Sequence, residues 1–165
     1  MSHHRTRKLH SKLLTAIACF KGSSVEGEVV ATQVTPSTVR ITATFSKLPK
    51  GKHGFHIHKA GDLRGEGCKG ACAHFHKGTP QSHGGYKTRR RHIGDLGNIE
   101  LPAKGQLKKT YTLNNLRIPE LWGRSIIVHA DEDDLGEGGH DDSHITGHSG
   151  ARIGCAIFGR GMECK

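Results

Sequence analysis

The chain has 165 residues, a length that suits one domain with an ordinary core. It is 33% apolar and 5% aromatic with 23 glycines, which fits strands joined by long loops better than a helical bundle. The formal charge of +10 with histidine neutral calls for an anionic substrate or partner. The basic residues are scattered, without a recognition-helix pattern or an aromatic stacking platform, so nucleic acid is not an expected partner. No apolar run approaches the length that spans a bilayer, so no membrane partner is expected either.

Residues 1–12, MSHHRTRKLHSK, are basic and aperiodic. They read as a disordered tail ahead of a single domain over residues 13–165. A charged start followed by LLTAIACF has the outline of a short signal peptide. That run is at the lower limit of length, ends on Lys21 and lacks a small-x-small cleavage site. The cytoplasm is therefore the expected location, with secretion as the alternative. Residues 13–21 read as the first strand and residues 25–32, VEGEVVAT, as the second. Residues 38–45 alternate cleanly: Val39, Ile41, Ala43 and Phe45 against Thr38, Arg40, Thr42 and Thr44. Pro36–Ser37 and the LPKG of residues 48–51 supply turns. The next strand is residues 54–58, GFHIH.

Residues 59–94 show no long periodic pattern. So long an irregular stretch inside a compact domain needs something to order it, and a bound metal and a disulfide are the candidates. The stretch carries Cys68, Cys72, His74, His76, His83 and His92. Further strands are expected at residues 93–101, 107–113, 124–130 and 152–158. A second loop, DEDDLGEGGHDDSHITGHSG, lies between the last two, and Gly138, Gly139 and Gly147 exclude a long helix there. The pattern predicts an all-β fold: an eight-stranded antiparallel Greek-key sandwich or flattened barrel with two long functional loops.

Residues i and i+2 of a strand share a face. Phe55 and Ile57 then face the core, while His56 and His58 face the other way with Cα atoms about 6.6 Å apart, within reach of one ion. His74, His83, His92 and Asp95 follow in the same Gly-rich segment, and His129 ends a later strand. Imidazole and carboxylate are good zinc ligands, and imidazole also suits copper. Any one of these could be a surface histidine in a chain with 14 of them, but that does not account for the whole group.

Several pieces together resemble the copper–zinc superoxide dismutases. They are GFHIHKAGD, the spacing of Cys68 and His74, HGG at His83, RHIGDLGN, VHADEDDLGEGG at His129 and TGHSGARIGCAIFG, and they cover roughly residues 22–161. The resemblance implies one copper and one zinc per subunit. His56, His58, His74 and His129 match the copper ligands; His74, His83, His92 and Asp95 match the zinc ligands, with His74 as the bridge. Asp133 matches a carboxylate that hydrogen-bonds one ligand of each ion. Arg152 matches the arginine beside the open copper position, and Thr146 the threonine that narrows the channel. The implied reaction is conversion of superoxide to dioxygen and peroxide by alternate reduction and oxidation of copper, with His74 carrying a proton. Cys68 and Cys155 match the family disulfide, leaving Cys19, Cys72 and Cys164. A homodimer and a copper chaperone are the implied protein partners. Trp122 adds a large apolar group for pairing, while Ala60 and Arg160 stand where larger apolar residues are expected.

The chain also departs from the pattern. Ile145 stands where a lysine is expected beside the acids Asp141 and Asp142, and His76, His140, His144 and His148 are additional candidate ligands. The competing reading is a dismutase-like metal-binding protein, a chaperone domain or metal store, without turnover. A basic nucleic-acid module would account for the charge but for none of the spacing.

Overall fold

A computed structural model describes residues 14–79 and 82–161. The tail assigned to residues 1–12 and Cys164 lie outside the described residues. Nine strands among the described residues form two antiparallel sheets. They are β1 (Thr15–Lys21), β2 (Glu26–Thr35), β3 (Thr38–Lys47), β4 (Lys52–His58), β5 (Asp95–Glu100), β6 (Leu107–Asn114), β7 (Ser125–His129), β8 (Arg152–Ile157) and β9 (Gly159–Arg160). The count exceeds the expected eight by β9, a two-residue strand too short to carry a period-2 signal. The first sheet has the order β6-β3-β2-β1-β9 and the second β5-β4-β7-β8.

Alternation builds the interior. Val39, Ile41, Ala43 and Phe45 of β3 are fully buried, and the residues between them point outward or are half-buried. Phe55 and Ile57 of β4 and Ile126 and Val128 of β7 meet them from the other sheet. An aromatic chain runs through the layer: Phe20 to Phe45 at 5.2 Å, Phe45 to Phe55 at 5.7 Å and Phe55 to Tyr111 at 6.3 Å between ring centroids. The chain leaves the first sheet after β3, builds β4 and β5, and returns as β6 to pair with β3. This is a Greek-key sandwich, flattened rather than closed into a barrel.

Both long loops span strands of the second sheet, β4 to β5 and β7 to β8. They are tied to it by backbone bonds such as Phe75 N–H to Ile57 O at 2.7 Å and Gly54 N–H to Asp131 O at 2.9 Å. They also meet each other, His83 N–H donating to His144 O at 2.8 Å. In consequence β4 is buried on both faces, with Phe55 and Ile57 in the core and His56 and His58 beneath the loops. The first loop contains a short 3-10 segment, Glu66–Ala71, and the second a single turn, α1 (Ser143–Thr146), ended by Gly147 at φ 69°.

Candidate metal centre

His56 and His58 project from β4, and His129 ends β7, two strands that pair directly. An isolated bridge between His58 and His74 brings the first loop alongside. One ligand atom from each of these four buried histidines lies within 4.8 Å of the others. Hydrogen bonds decide which nitrogen each ring presents. His58 Nδ1–H donates to Cys72 O at 2.8 Å, and His129 Nδ1–H donates to Gly150 O at 3.2 Å. Both Nε2 atoms are therefore bare, and they face each other 3.4 Å apart. His56 Nε2 pairs with Asp133 Oδ2 at 2.8 Å, leaving its Nδ1 buried without a partner. His74 Nε2 is likewise buried and unpartnered. Buried lone pairs converging without a donor are costly, and a cation at their centre removes the cost.

The second group is built around one oxygen. Asp95 Oδ1 lies 2.8 Å from His74 Nδ1, 3.0 Å from His83 Nδ1 and 3.3 Å from His92 Nδ1. Its Oδ2 accepts backbone N–H groups of His92 at 2.8 Å and Gly84 at 3.2 Å, which fixes the carboxylate. The two groups share His74, with one ring nitrogen turned to each. Three imidazoles and a carboxylate suit tetrahedral zinc, and four imidazoles suit Cu(II). The donor sets thus fit both ions.

Asp133 joins the two groups from behind. Its Oδ2 takes His56 Nε2 and its Oδ1 takes His83 Nε2, each at 2.8 Å. Asn98 holds it in a reciprocal pair: Asn98 Nδ2 donates to Asp133 O at 2.8 Å and Asp133 N–H donates to Asn98 Oδ1 at 2.7 Å. Gly147 packs on this junction at positive φ; a Cβ there would sit 2.1 Å from Asp133 Oδ1 and 2.4 Å from His83 Nε2. Only glycine meets both demands.

Protonation follows from this environment. Burial, with neighbouring histidines adding to it, holds His56 and His58 far below the usual imidazole range. Burial likewise lowers His74 against the opposing pull of Asp95, and brings His129 down to about 4. These rings are neutral at pH 7, the form that ligates metal. Burial would raise the Asp95 carboxyl, but hydrogen bonds from His74, His83 and His92 hold it well below the carboxylate range. Burial would lower His83, but its bonds to Asp133 and Asp95 push it up to about 9.

Arg152 lies opposite His129 across β7 and β8, just past a register shift. Its Nη1 donates to Cys68 O and its Nη2 to Cys72 O, both at 2.6 Å. The half-exposed guanidinium is close enough to contribute to the lowered pKa of His129. Cys68 and Cys155 form a disulfide, which staples the first loop to β8. Cys19 and Cys72 are free and exposed. The Thr146 hydroxyl donates to Asp142 Oδ2 at 2.9 Å, and Ile145 is 63% exposed. Of the additional histidines, His76 lies 6.1 Å from His92 between ring centroids, and His140 and His148 stack on each other.

Three supporting residues escape a sequence reading. His53 is buried, its Nδ1 between the carbonyls of His129 and Ala130 at 2.9 and 3.1 Å and its Nε2 3.1 Å from Pro49 O. Asn98 is the anchor of Asp133. Arg91 donates to the carbonyls of Tyr86, His92, Ile93 and Asp95, which moulds the loop around the second group. The alternation of His53 with Phe55 and the place of Arg91 beside His92 were the available signals, and neither is specific.

The family profile described as "Copper/zinc superoxide dismutase (SODC)" matches residues 25–158. The superoxide dismutase [Cu-Zn] of Paramecium bursaria Chlorella virus 1 is 44% identical over 158 residues, 93% of this chain and 82% of that protein. Superoxide dismutase [Cu-Zn] 5 of Dictyostelium discoideum is 42% identical over 149 residues, 88% of this chain and 97% of that protein. A crystal structure of the clock protein EA4 superposes with a TM-score of 0.80 at 30% identity, covering 96% of this chain and 99% of that one. The chain belongs to the copper/zinc superoxide dismutase family.

Proposed function

We propose that this chain is a superoxide dismutase that holds copper in the His56, His58, His74 and His129 group and zinc in the His74, His83, His92 and Asp95 group. The observation that carries the reading is His74, whose Nδ1 belongs to one group and whose buried, unpartnered Nε2 belongs to the other. Copper, when bound, supplies one-electron exchange with superoxide, and zinc supplies fixed charge without redox chemistry. The protein supplies everything else. Asp133 fixes the orientation of His56 and His83 together, so the two groups keep one geometry. His74 Nε2, buried and without a protein partner, would be the atom to hold a proton whenever it is not holding the metal. Arg152, held by the Cys68 and Cys72 carbonyls, presents a cation that attracts superoxide and orients it. Pairing of two copies is part of the proposal: exposed Ile157 and the half-buried Trp122 lie on the β8–β9 side, with the Arg160 guanidinium 4.2 Å over the Trp122 ring. Copper delivery by a chaperone is proposed on the same family grounds.

The test is superoxide turnover by metal-loaded wild type, Arg152→Gln and Arg152→Glu. One unit charge pair at about 4 Å is worth about 1 kcal/mol in water and about 4 kcal/mol at an effective dielectric near 20. Charge reversal should therefore slow turnover by about tenfold to a hundredfold or more, with Arg152→Gln between. Copper and zinc content should be unchanged. Equal rates in all three proteins would remove Arg152 from the site, and a fully loaded wild type without turnover would make the chain a metal store.

A further inference from the structure

One side of the sandwich is left open. β6 is an edge of the first sheet and β5 an edge of the second, and the two do not pair. A cavity of about 780 Å³ lies along them, lined also by residues 85–88 of the first loop and Leu135 of the second. That volume suits a small organic molecule.

The lining departs from the alternation that built the core. Leu107, Lys109, Tyr111 and Leu113 share one face of β6, and it is the inward face, since Tyr111 and Leu113 are fully buried. Lys109 thus stands at an inward position of a packed layer. Its Nζ donates to Asn98 O at 2.7 Å and lies 5.6 Å from the centroid of the Tyr111 ring. An ammonium has three donors, and no carboxylate among the described residues takes the others. Burial lowers the pKa of Lys109 with no acid to oppose it.

The Tyr111 hydroxyl is buried and has no hydrogen-bond partner among the described residues. A buried phenol normally finds one. Its neighbour Tyr86 meets it edge-on at 5.1 Å but is already satisfied: the Tyr86 hydroxyl donates to Thr112 O at 3.1 Å and accepts Thr112 N–H at 2.8 Å. The other charges at the cavity do not serve as acceptors either. Glu132 is taken by Lys52 at 2.8 Å, and Glu100 is exposed. Two residues with unfilled donors therefore stand on one strand face, beside the apolar side chains of Leu107 and Leu135, the latter 37% exposed.

We propose that the open side between β5 and β6 binds a small aromatic acid, with Lys109 and Tyr111 meeting its carboxylate and Tyr86, Leu107 and Leu135 its ring. A carboxylate accepts from both donors, and its hydrogen bond with the ammonium is charge-assisted. The site is separate from the metal centre and independent of redox chemistry there.

The experiment is equilibrium dialysis of 2-naphthoate against protein carrying copper and zinc. Wild type should bind one molecule per chain with a Kd on the order of 0.1 mM. Lys109→Met keeps the apolar stem and removes the ammonium, and should weaken binding about tenfold or more. Tyr111→Phe removes only the hydroxyl and should weaken it about three- to tenfold. The neutral 2-naphthylmethanol should bind wild type about tenfold more weakly than the acid. Unchanged copper and zinc content shows that each variant is folded. A carboxylate seated on the metal centre instead would be indifferent to both substitutions. Uptake that neither Lys109→Met nor Tyr111→Phe weakens, or no saturable uptake by wild type, would overturn the proposal and leave Lys109 as a charge that guards the β6 edge against pairing.

Discussion

His83 and His129 are pushed in opposite directions by one centre, and this gives the metal-free protein a characteristic pH dependence. Below about 6.5 the unfolded chain protonates His129, while the folded chain, with its value near 4, does not. Stability is therefore lost as pH falls from about 6.5 to about 4, by roughly 3 kcal/mol from His129 alone. His56, His58 and His74 act in the same direction. His83 does the reverse: its contribution is complete below about 6.5 and disappears as pH rises toward 9. Denaturation midpoints of the metal-free protein should peak near pH 6.5 and decline on both sides. Zinc should abolish the alkaline decline, because it takes the place of the His83 proton. A midpoint that rises steadily from pH 5 to 9 in the metal-free protein would contradict this. At this scale the sequence was informative wherever a residue is itself a donor. His56, His58, His74, His83, His92, Asp95 and His129 fall into two buried groups that share His74 and could each hold a metal ion. What stayed hidden were the residues that hold donors: Asn98, Arg91 and His53 act through hydrogen bonds to backbone or to Asp133, and such partners follow no spacing rule.

At the scale of elements, the first loop depends on a few long-range ties. Cys68 and Cys155 are 87 residues apart, and Arg152, on the same strand as Cys155, bonds the carbonyls of Cys68 and Cys72. In the chain-entropy account, closing a loop of that order stabilises by roughly 4–5 kcal/mol. Cys155→Ser should lower the denaturant midpoint clearly, and weaken zinc binding because His74 and His83 lie in the loop it releases. A variant with the wild-type midpoint and zinc affinity would show that the loop is ordered by other means. The strands themselves were legible because alternation is a local property, as in β3, where the buried set is the one the sequence marks. The loop interior was not. Its 3-10 segment contains Cys68 at φ 54° and ends on Cys72 at φ 64°, conformations set by tertiary bonds rather than by the residues' own preferences. The register shifts beside His56 and His129 were equally silent in the sequence.

For the whole molecule, the sandwich and the charge divide the work. Two packed sheets give a rigid base, and both functional loops cover the second sheet, so one rigid strand pair, β4 and β7, carries three of the four histidines in the proposed copper group. The net charge of +10 attracts an anion from a distance, but salt screens it beyond about 10 Å. Close guidance is the role proposed for Arg152, with Ile145, exposed, in the place of the expected lysine. The most direct measurement of the central claim is anomalous diffraction from a crystal of copper- and zinc-loaded protein, with data at both absorption edges. Copper should appear at bonding distance from His56 Nδ1 and from the Nε2 atoms of His58, His74 and His129. Zinc should appear among the Nδ1 atoms of His74, His83 and His92 and Asp95 Oδ1. Both ions absent from these positions, or found there without His74 between them, would contradict the account.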